Sequence, residues 1–493
     1  MSRCFRLPVF LLLFIALGAS SHAVEKPRNV LLIMADDLCT ALGSYGHPLV
    51  KSPNIDRLAA KGVRFEQAYC QFPLCNPSRA SMLTGRTPNV TKVLNNGPRF
   101  REAIPDTVTL PQLFKDAGIF TARVGKLYHY GVPGDIGTSS LDDPISWNEV
   151  VNPRGIDKDV EEEIFSLNPK GQGSGRFGGT LSWLSVADDR GEHTDGIGAS
   201  EMIKLLEAHK EKPFFLAMGF YRPHTPYVAP KKYFDLYPIE KIELPKTPEE
   251  FAEQTPAPAI TTKKMESEMT DQQRREAIQA YHAATSYMDA QVGRVLDAVD
   301  RLGLDKNTLI VFTSDHGYHL GEYGMWQKQS LFEQSARVPL IIAAPGAKQN
   351  GKSTKALAGL IDIYPTIAEV CGMKAPEYLN GKSLAPVLDG TTMGVQEHVY
   401  TQVQRGNAPG LTVRTQSYRY TVWNYGEGGM QLYDMNADPF QTKNLANDPA
   451  HAQARAELQA EIEQHWPRND WPKMPAGGGK PGNRKNAPPK AAQ

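Results

Sequence analysis

Short runs of apolar, often β-branched residues alternate along the chain with stretches whose apolar positions recur every three or four residues. That rhythm predicts an α/β fold built on a largely parallel sheet flanked by helices. Residues 29–34 (NVLLIM) are apolar after Asn29 and predict a strand buried on both faces. Residues 120–124, 213–218, 308–313 and 338–343 read the same way. Helical spacing predicts helices from Ser52-Pro53-Asn54 to about Gly62, over 110–117, over 199–209 and, longest, over 271–302, where Ile278, Tyr281 and Met288 share a face. Asp362 is expected to cap a helix running through Ile367. From about Val399 the texture changes to short alternating runs such as 418–423 and 431–433, which predict an antiparallel sheet, followed by a helix over 452–465. The expected organisation is a large unit over 24–395 and a smaller C-terminal α+β subdomain over 396–470, with no internal repeat.

Composition narrows the class. A chain of 493 residues, 41% of them hydrophobic, can bury one large core and a second, smaller one. Its 54 basic side chains balance 54 acidic ones, so no general positive field holds it to DNA, RNA or an anionic membrane, and no nucleic-acid partner is expected. Five cysteines are too few for a disulfide scaffold. Arg3 and Arg6 precede an apolar stretch over 9–19, and Ser21-His22-Ala23 follows with small residues where a signal peptidase reads. The stretch is shorter than the roughly 20 residues that span a bilayer. Residues 1–23 are therefore expected to be a signal peptide, and the mature protein to be secreted or periplasmic without a membrane anchor. Residues 471–493 are Gly/Pro-rich, basic and free of acids, and predict a disordered tail.

Candidate chemistry gathers where strands are expected to end, the edge at which open α/β sheets bind ligands. Asp36-Asp37 follows the first strand, and Asp315-His316 follows the strand over 308–313. One acidic pair after a strand is commonly a helix cap; two at equivalent strand ends suggest convergence. Three carboxylates brought together repel unless a divalent cation lies among them, and oxygen-rich donors suit Ca²⁺ or Mg²⁺. Between these motifs lies Cys75-Asn76-Pro77-Ser78-Arg79. Pro77 fits a first helical turn, which puts Cys75 at a helix N-terminus, where the dipole favours anions. Taken alone, Cys75 reads as an activated thiolate.

The longer string is more specific. Cys75-x-Pro77-Ser78-Arg79 followed by Leu83-Thr84-Gly85-Arg86 resembles the signature of the type I sulfatases of the alkaline phosphatase superfamily. The resemblance extends through Asp36-Asp37, Ser52-Pro53-Asn54-Ile55-Asp56, Gly125-Lys126, Arg222-Pro223-His224, the SDHG string and Leu432-Tyr433-Asp434. Within that family the chain is most similar to the iduronate-2-sulfatases, through GKLYH, RPHTPY and SDHGYHLGEYGMWQK. It implies an alkaline phosphatase-like sheet and a sulfatase acting on a sulfated saccharide. It also implies that a formylglycine-generating enzyme oxidises Cys75 to formylglycine. Asp36, Asp37, Asp315 and His316 would ligate the cation together with residue 75. The family suggests Ca²⁺, with Mg²⁺ open because imidazole is an unusual ligand for a hard ion. Arg79 would hold the hydrated aldehyde and its neighbours, Lys126 and Lys328 would clamp sulfate oxygens, His129 would take a proton from the geminal diol, and His224 would protonate the departing alcohol.

Such a set answers the difficulty of the reaction. A sulfate ester repels nucleophiles and its alkoxide leaves poorly, so cations on the sulfate oxygens and an acid at the leaving oxygen both help. A geminal diol adds an exit: one hydroxyl attacks sulfur and the other, deprotonated, expels sulfate. Taken singly, His129 and His224 would be ordinary histidines, Lys126 and Lys328 solvated lysines, and Arg79 a helix-surface arginine. Tyr318 and Trp326 could be core packing or a substrate wall. Two rival functions are a phosphate or phosphonate ester hydrolase of the same superfamily and a non-catalytic carbohydrate-binding relative, the latter expected to lack Cys75 or a metal aspartate.

Overall fold

The computed structural model describes residues 28–172 and 175–467. The signal peptide and the basic tail expected from the sequence lie outside the described residues. Eight strands form one sheet in the order Ser353–Gly359, Val63–Tyr69, Arg337–Ala343, Thr308–Ser314, Asn29–Ala35, Phe214–Gly219, Phe120–Gly125 and Glu149–Val151. Neighbours run parallel except on either side of Arg337–Ala343, which is antiparallel to both of its partners. The sheet is mixed and mostly parallel, as the alternation of apolar runs and helices predicts.

Helices cover both faces, and this explains the unbroken apolar runs. Along Asn29–Ala35, successive side chains point to opposite sides. Val30, Leu32 and Met34 join a core with Met82 and Leu83 of helix Cys75–Thr84 and Ile363 and Ile367 of helix Ile363–Val370. Leu31, Ile33 and Ala35 join the other core, against Ile55, Leu206 and Met288 from helices Pro53–Lys61, Thr194–His209 and Asp271–Arg301. The last of these opens on a capping box in which Thr270 and Gln273 satisfy each other's backbone N–H groups.

Three features depart from the expectations. Thr194–His209 starts at Thr194 rather than Ala199, because its first turn buries the carboxylate of Asp195 instead of an apolar side chain and so breaks the pattern. Strands Val63–Tyr69 and Ser353–Gly359 are not predicted by the sequence pattern; they lie toward one edge of the sheet, where several positions are half-buried or exposed and carry polar residues. Asp362 precedes helix Ile363–Val370 but does not cap it with its side chain. Its carboxylate turns back to accept from the N–H groups of Gly359 (2.7 Å) and Lys382 (2.7 Å) and from Gln396 Nε2 (2.6 Å).

The C-terminal subdomain is a four-stranded antiparallel sheet, Val399–Arg405, Ala408–Arg414, Tyr418–Trp423 and Met430–Asp434 in that order, packed through Leu458 and Ile462 against helix Ala452–His465. Glu333 of the large unit ties it down, accepting from Arg419 Nη2 at 2.6 Å and Arg414 Nε at 3.3 Å. Among the described residues no helix is long and apolar enough to cross a membrane.

The Glu333 tie gives a stability prediction. Burial alone would raise its pKa, but Arg419 and Arg414 outweigh burial and pull it from the usual 4.5 down to about 2. Its contribution is present in full above about pH 4.5 and disappears as the pH falls toward 2, on the order of 3 kcal/mol. Glu333→Gln leaves the buried Arg419 without its counter-charge and is expected to destabilise the protein by about 3–5 kcal/mol at pH 7. Denaturant unfolding at pH 7 and pH 3 checks this, and the variant should lose less stability on acidification than the parent. An equal loss in both would rule out the bridge as the source.

Candidate active site

The register of two parallel strands builds the centre of the site. Ala35 pairs with Ser314, so the next residues of each strand, Asp36-Asp37 and Asp315-His316, emerge side by side at the carboxyl edge of the sheet. Asp37 sits at φ +63°, in the left-handed region. Tyr281, reaching over from helix Asp271–Arg301, holds that turn by donating to the Asp37 carbonyl at 2.7 Å and accepting from the Cys39 N–H at 2.9 Å. Sequence reasoning treated Tyr281 as an apolar helix position, and nothing in the sequence marks its hydroxyl.

Three cations converge on the acids. Helix Cys75–Thr84, buried along its whole length, brings Arg79 to Asp315 Oδ2 (2.9 Å) and Asp36 Oδ1 (2.9 Å). The same guanidinium donates to the carbonyls of Lys126 and Leu127, at 2.5 and 3.0 Å, which ties it to the acids and to the Lys126 turn. Gly125, at φ +72°, permits that turn: a Cβ there would come within 2.2 Å of the Gly219 carbonyl. Lys126 can then place Nζ 2.5 Å from Asp36 Oδ2. Lys328 stands between Gln327 (φ +66°) and Gln329 (φ +69°), two strained positions that cost of order 1–3 kcal/mol each. Gln327 Nε2 bonded to the buried Glu266 (2.9 Å) and the Gln329 N–H bonded to the Pro73 carbonyl (3.1 Å) hold the segment. The result places Lys328 Nζ 2.6 Å from Asp37 Oδ1 and 3.0 Å from Cys75 Sγ.

Cys75 lies fully buried at the helix N-terminus, its Sγ 3.5 Å from His316 Nε2 and 3.7 Å from Asp37 Oδ1. Here the thiol sulfur stands in for whatever oxygen a modified residue 75 would carry. Cys39, Cys70 and Cys75 are unbridged. Ligand atoms of Asp37, Cys75, Asp315 and His316 lie within 4.8 Å of one another, as do those of Asp36, Asp37, Cys75 and His224. The donors suit a divalent cation. His316 Nδ1 donates to the Gly317 carbonyl at 2.8 Å, which leaves Nε2 as the ligating nitrogen. Burial pushes the Asp37 carboxyl up to about 8 against the pull of Lys328. Burial opposes the charged form of His316, but Asp315 outweighs it and raises that group to about 9. Both groups therefore hold protons near neutral pH that a bound cation would displace.

The remaining candidates surround this centre. His224 Nε2 lies 3.7 Å from Asp37 Oδ2, and its Nδ1 donates to the Thr225 carbonyl at 2.5 Å. Burial, reinforced by Lys328, lowers its pKa well below the usual value, and burial with Lys126 does the same to His129. His129 is half-buried, with an Nδ1 that has no partner among the described residues. Tyr318 and Trp326 are core: both are buried in one cluster with Tyr227 and Tyr281, and the Tyr227 hydroxyl donates to that of Tyr318 at 2.7 Å. The structure thus unites Asp36, Asp37, Cys75, Arg79, Lys126, His224, Asp315, His316 and Lys328, and keeps His129 beside Lys126 in their field.

A family model described as Sulfatase matches residues 28–373, and one described as N-sulphoglucosamine sulphohydrolase, C-terminal, matches residues 321–467. Iduronate 2-sulfatase of Mus musculus is 33% identical over 522 residues, covering 88% of this chain and 93% of that one. Among solved structures, a 2-O GAG sulfatase superposes with a TM-score of 0.68 at 25% identity, covering 90% of this chain and 92% of the other. The phosphonate monoester hydrolase of Agrobacterium radiobacter shares the fold, with a TM-score of 0.72 at 22% identity over 89% of this chain and 95% of that one.

The donor cluster predicts a cation-dependent melting temperature. Ca²⁺ or Mg²⁺ added to chelator-treated protein is expected to raise the midpoint, by about 2.7 kcal/mol of stability at a hundredfold excess over Kd. Asp37→Asn should abolish most of that gain, while a surface change such as Lys264→Ala should preserve it. Scanning calorimetry with and without chelator reads both, and a midpoint indifferent to either cation would exclude a resident ion.

Proposed function

The chain belongs to the sulfatase family, and from that premise we propose that it is an exported hydrolase that removes sulfate from a sulfated saccharide. In this reading it resembles the iduronate 2-sulfatases, and a formylglycine at position 75 serves as nucleophile. The observation that carries the reading is the position of Cys75: a buried side chain at a helix N-terminus, within 3.0 Å of Lys328 Nζ and 3.5 Å of His316 Nε2. The saccharide is inferred from the relatives' names, and export from the N-terminal segment. On this reading the boundary between catalytic unit and C-terminal subdomain falls near residue 395.

Asp36, Asp37, Asp315 and His316 would hold the divalent cation, Ca²⁺ by the weight of oxygen donors and Mg²⁺ as the alternative. Bound there, it would supply positive charge for the sulfate oxygens. A formylglycine-generating enzyme would convert Cys75 before use, and the hydrated aldehyde would supply the attacking hydroxyl. The chain's own side chains do the rest. Lys126 and Lys328 lie on either side of the carboxylates, each already within hydrogen-bonding distance of one of them, and can shift onto sulfate oxygens as charge develops. Arg79 fixes Asp36 and Asp315 and through them the geometry of the ligand set. His129, a neutral ring with a free nitrogen, is suited to take a proton from residue 75. His224 is neutral in the absence of substrate; a sulfate monoester brings a negative charge into its pocket, which favours the protonated ring that can donate to the leaving oxygen.

Two experiments test this. Peptide mass spectrometry of active protein is expected to find the aldehyde at position 75, and Cys75→Ala to lose turnover while keeping its melting temperature. Active enzyme carrying only unmodified cysteine would sink the nucleophile. In the second, Lys328→Ala should slow sugar sulfates and aryl sulfates alike, since both present the same sulfate oxygens. His224→Ala should slow sugar sulfates by roughly 10² to 10⁴ and aryl sulfates, whose phenoxide leaves unaided, much less. Faster hydrolysis of phosphonate or phosphate esters, read as alcohol release, than of any sulfated saccharide would transfer the protein to the phosphonate hydrolase reading.

A further inference from the structure

Behind His224 lies a buried ion-pair system to which none of the roles above gives a use. Arg222, in the same Arg222-Pro223-His224 string, is 1% exposed. Its Nη2 donates to Asp157 Oδ2 at 2.6 Å. Its Nη1 donates to the carbonyls of His224 at 3.2 Å and Pro226 at 2.7 Å, reaching the chain at and beyond the histidine. Asp157, 2% exposed, accepts through its other oxygen from the N–H (2.7 Å) and hydroxyl (2.6 Å) of Thr194, the first residue of helix Thr194–His209. The next residue of that helix, Asp195, accepts from the N–H groups of Tyr221 (2.9 Å) and Arg222 (3.0 Å).

A buried pair of this kind contributes little net stability, and apolar side chains of similar size would pack as well. What they could not do is collect two backbone carbonyls and a carboxylate with one rigid fork, the property that sets arginine apart from lysine. The segment carrying His224 is therefore fastened to the helix start at both carboxylates. The next residue is tied as well: Thr225 Oγ1 donates to the Gly178 carbonyl at 3.1 Å. The backbone that carries the imidazole is thus held by the fork, and the ring itself by its Nδ1 bond to the Thr225 carbonyl.

We propose that Arg222, anchored by Asp157, is a positioning residue that fixes His224 Nε2 toward the leaving oxygen. The inference rests on the reading of His224 as the acid that protonates that oxygen. A ring set loose by about 1 Å would lose on the order of 10²-fold in the step it serves. That loss would fall on esters that need a proton donor.

The test compares kcat/KM on a sugar sulfate with kcat/KM on an aryl sulfate, as a ratio, for four proteins with equal formylglycine content: the parent, His224→Ala, Arg222→Lys, and Arg222→Met combined with Asp157→Asn. The double variant removes the charge pair without stranding either partner. Arg222→Lys keeps the charge but cannot span both carbonyls, and carries the test if the double variant does not fold. The sugar-to-aryl ratio is expected to fall by about 10- to 100-fold in the Arg222 variants, in the same direction as His224→Ala. A purely structural role would lower both activities together and leave the ratio where it was, which would overturn the proposal. If His224→Ala itself leaves the ratio unchanged, the acid reading fails and the proposal falls with it. A ratio that falls for His224→Ala alone overturns the positioning role and spares the acid.

Discussion

The site depends on one constraint: Asp36, Asp37 and Asp315 are 1% exposed or less and lie within reach of one another, so their charge must be met inside the protein. Removing a carboxylate from water without a partner costs several kcal/mol. Each of the neighbouring basic residues meets a share of that cost, Arg79 at Asp36 and Asp315, Lys126 at Asp36, and Lys328 at Asp37. These three cations come from a helix, a strand end and a strained loop, so the electrostatic requirement fixes the relative placement of three elements that no hydrophobic contact would align so closely. Asp37 is the least compensated, and its carboxyl is pushed up to about 8 chiefly by burial. That shortfall is what a divalent ion would make good.

The sheet supplies the precision. Because strands Asn29–Ala35 and Thr308–Ser314 pair in register, their acidic ends arrive together as soon as the core forms, without loop adjustments. On the other side of Asn29–Ala35, Phe214–Gly219 leads to His224, and beyond it Phe120–Gly125 leads to Lys126. Close approach of these last two strands at Gly125 and Gly219 brings the lysine inward: a Cβ on Gly219 would meet the Lys126 carbonyl at 2.0 Å. The groups given catalytic roles thus hang from a two-sided core, where side chains are least able to drift.

The legibility of this arrangement followed burial. The central strands announce themselves because both faces are apolar, and their ends could be read as a site because two acid-bearing motifs, Asp36-Asp37 and Asp315-His316, recur at the same structural position. Val63–Tyr69 and Ser353–Gly359 were illegible because half-buried positions admit Arg64 and Glu66 and an exposed one admits Lys355, which mute the strand pattern. The residues that hold the site were harder still. Tyr281 looks like a core aromatic, and its hydroxyl acquires meaning only when the helix meets the Asp37 turn. Asp157 and Asp195 look like surface acids on polar stretches, and their burial becomes apparent only once Arg222 is folded against them. Asp362 misled for a related reason: Gly359, Lys382 and Gln396 bring three donors to its carboxylate, which meets them instead of capping the helix.

The balanced charge of the whole chain excluded polyanion partners but said nothing about the site, and the two scales separate for a physical reason. Without an ion, Asp37 and His316 hold protons near neutral pH, so three basic side chains and the His316 ring face two ionised carboxylates, with His129 and His224 uncharged. A divalent ion among the carboxylates would displace the Asp37 and His316 protons, so the net charge would stay much the same but gather on one small centre, and the ion would free the lysines from carboxylates they need no longer neutralise. The ammonium groups that neutralise the carboxylates would then be available to the ester. On this view ion binding and anion recognition are one event, since the cation supplies the field and releases the hydrogen-bond donors that use it.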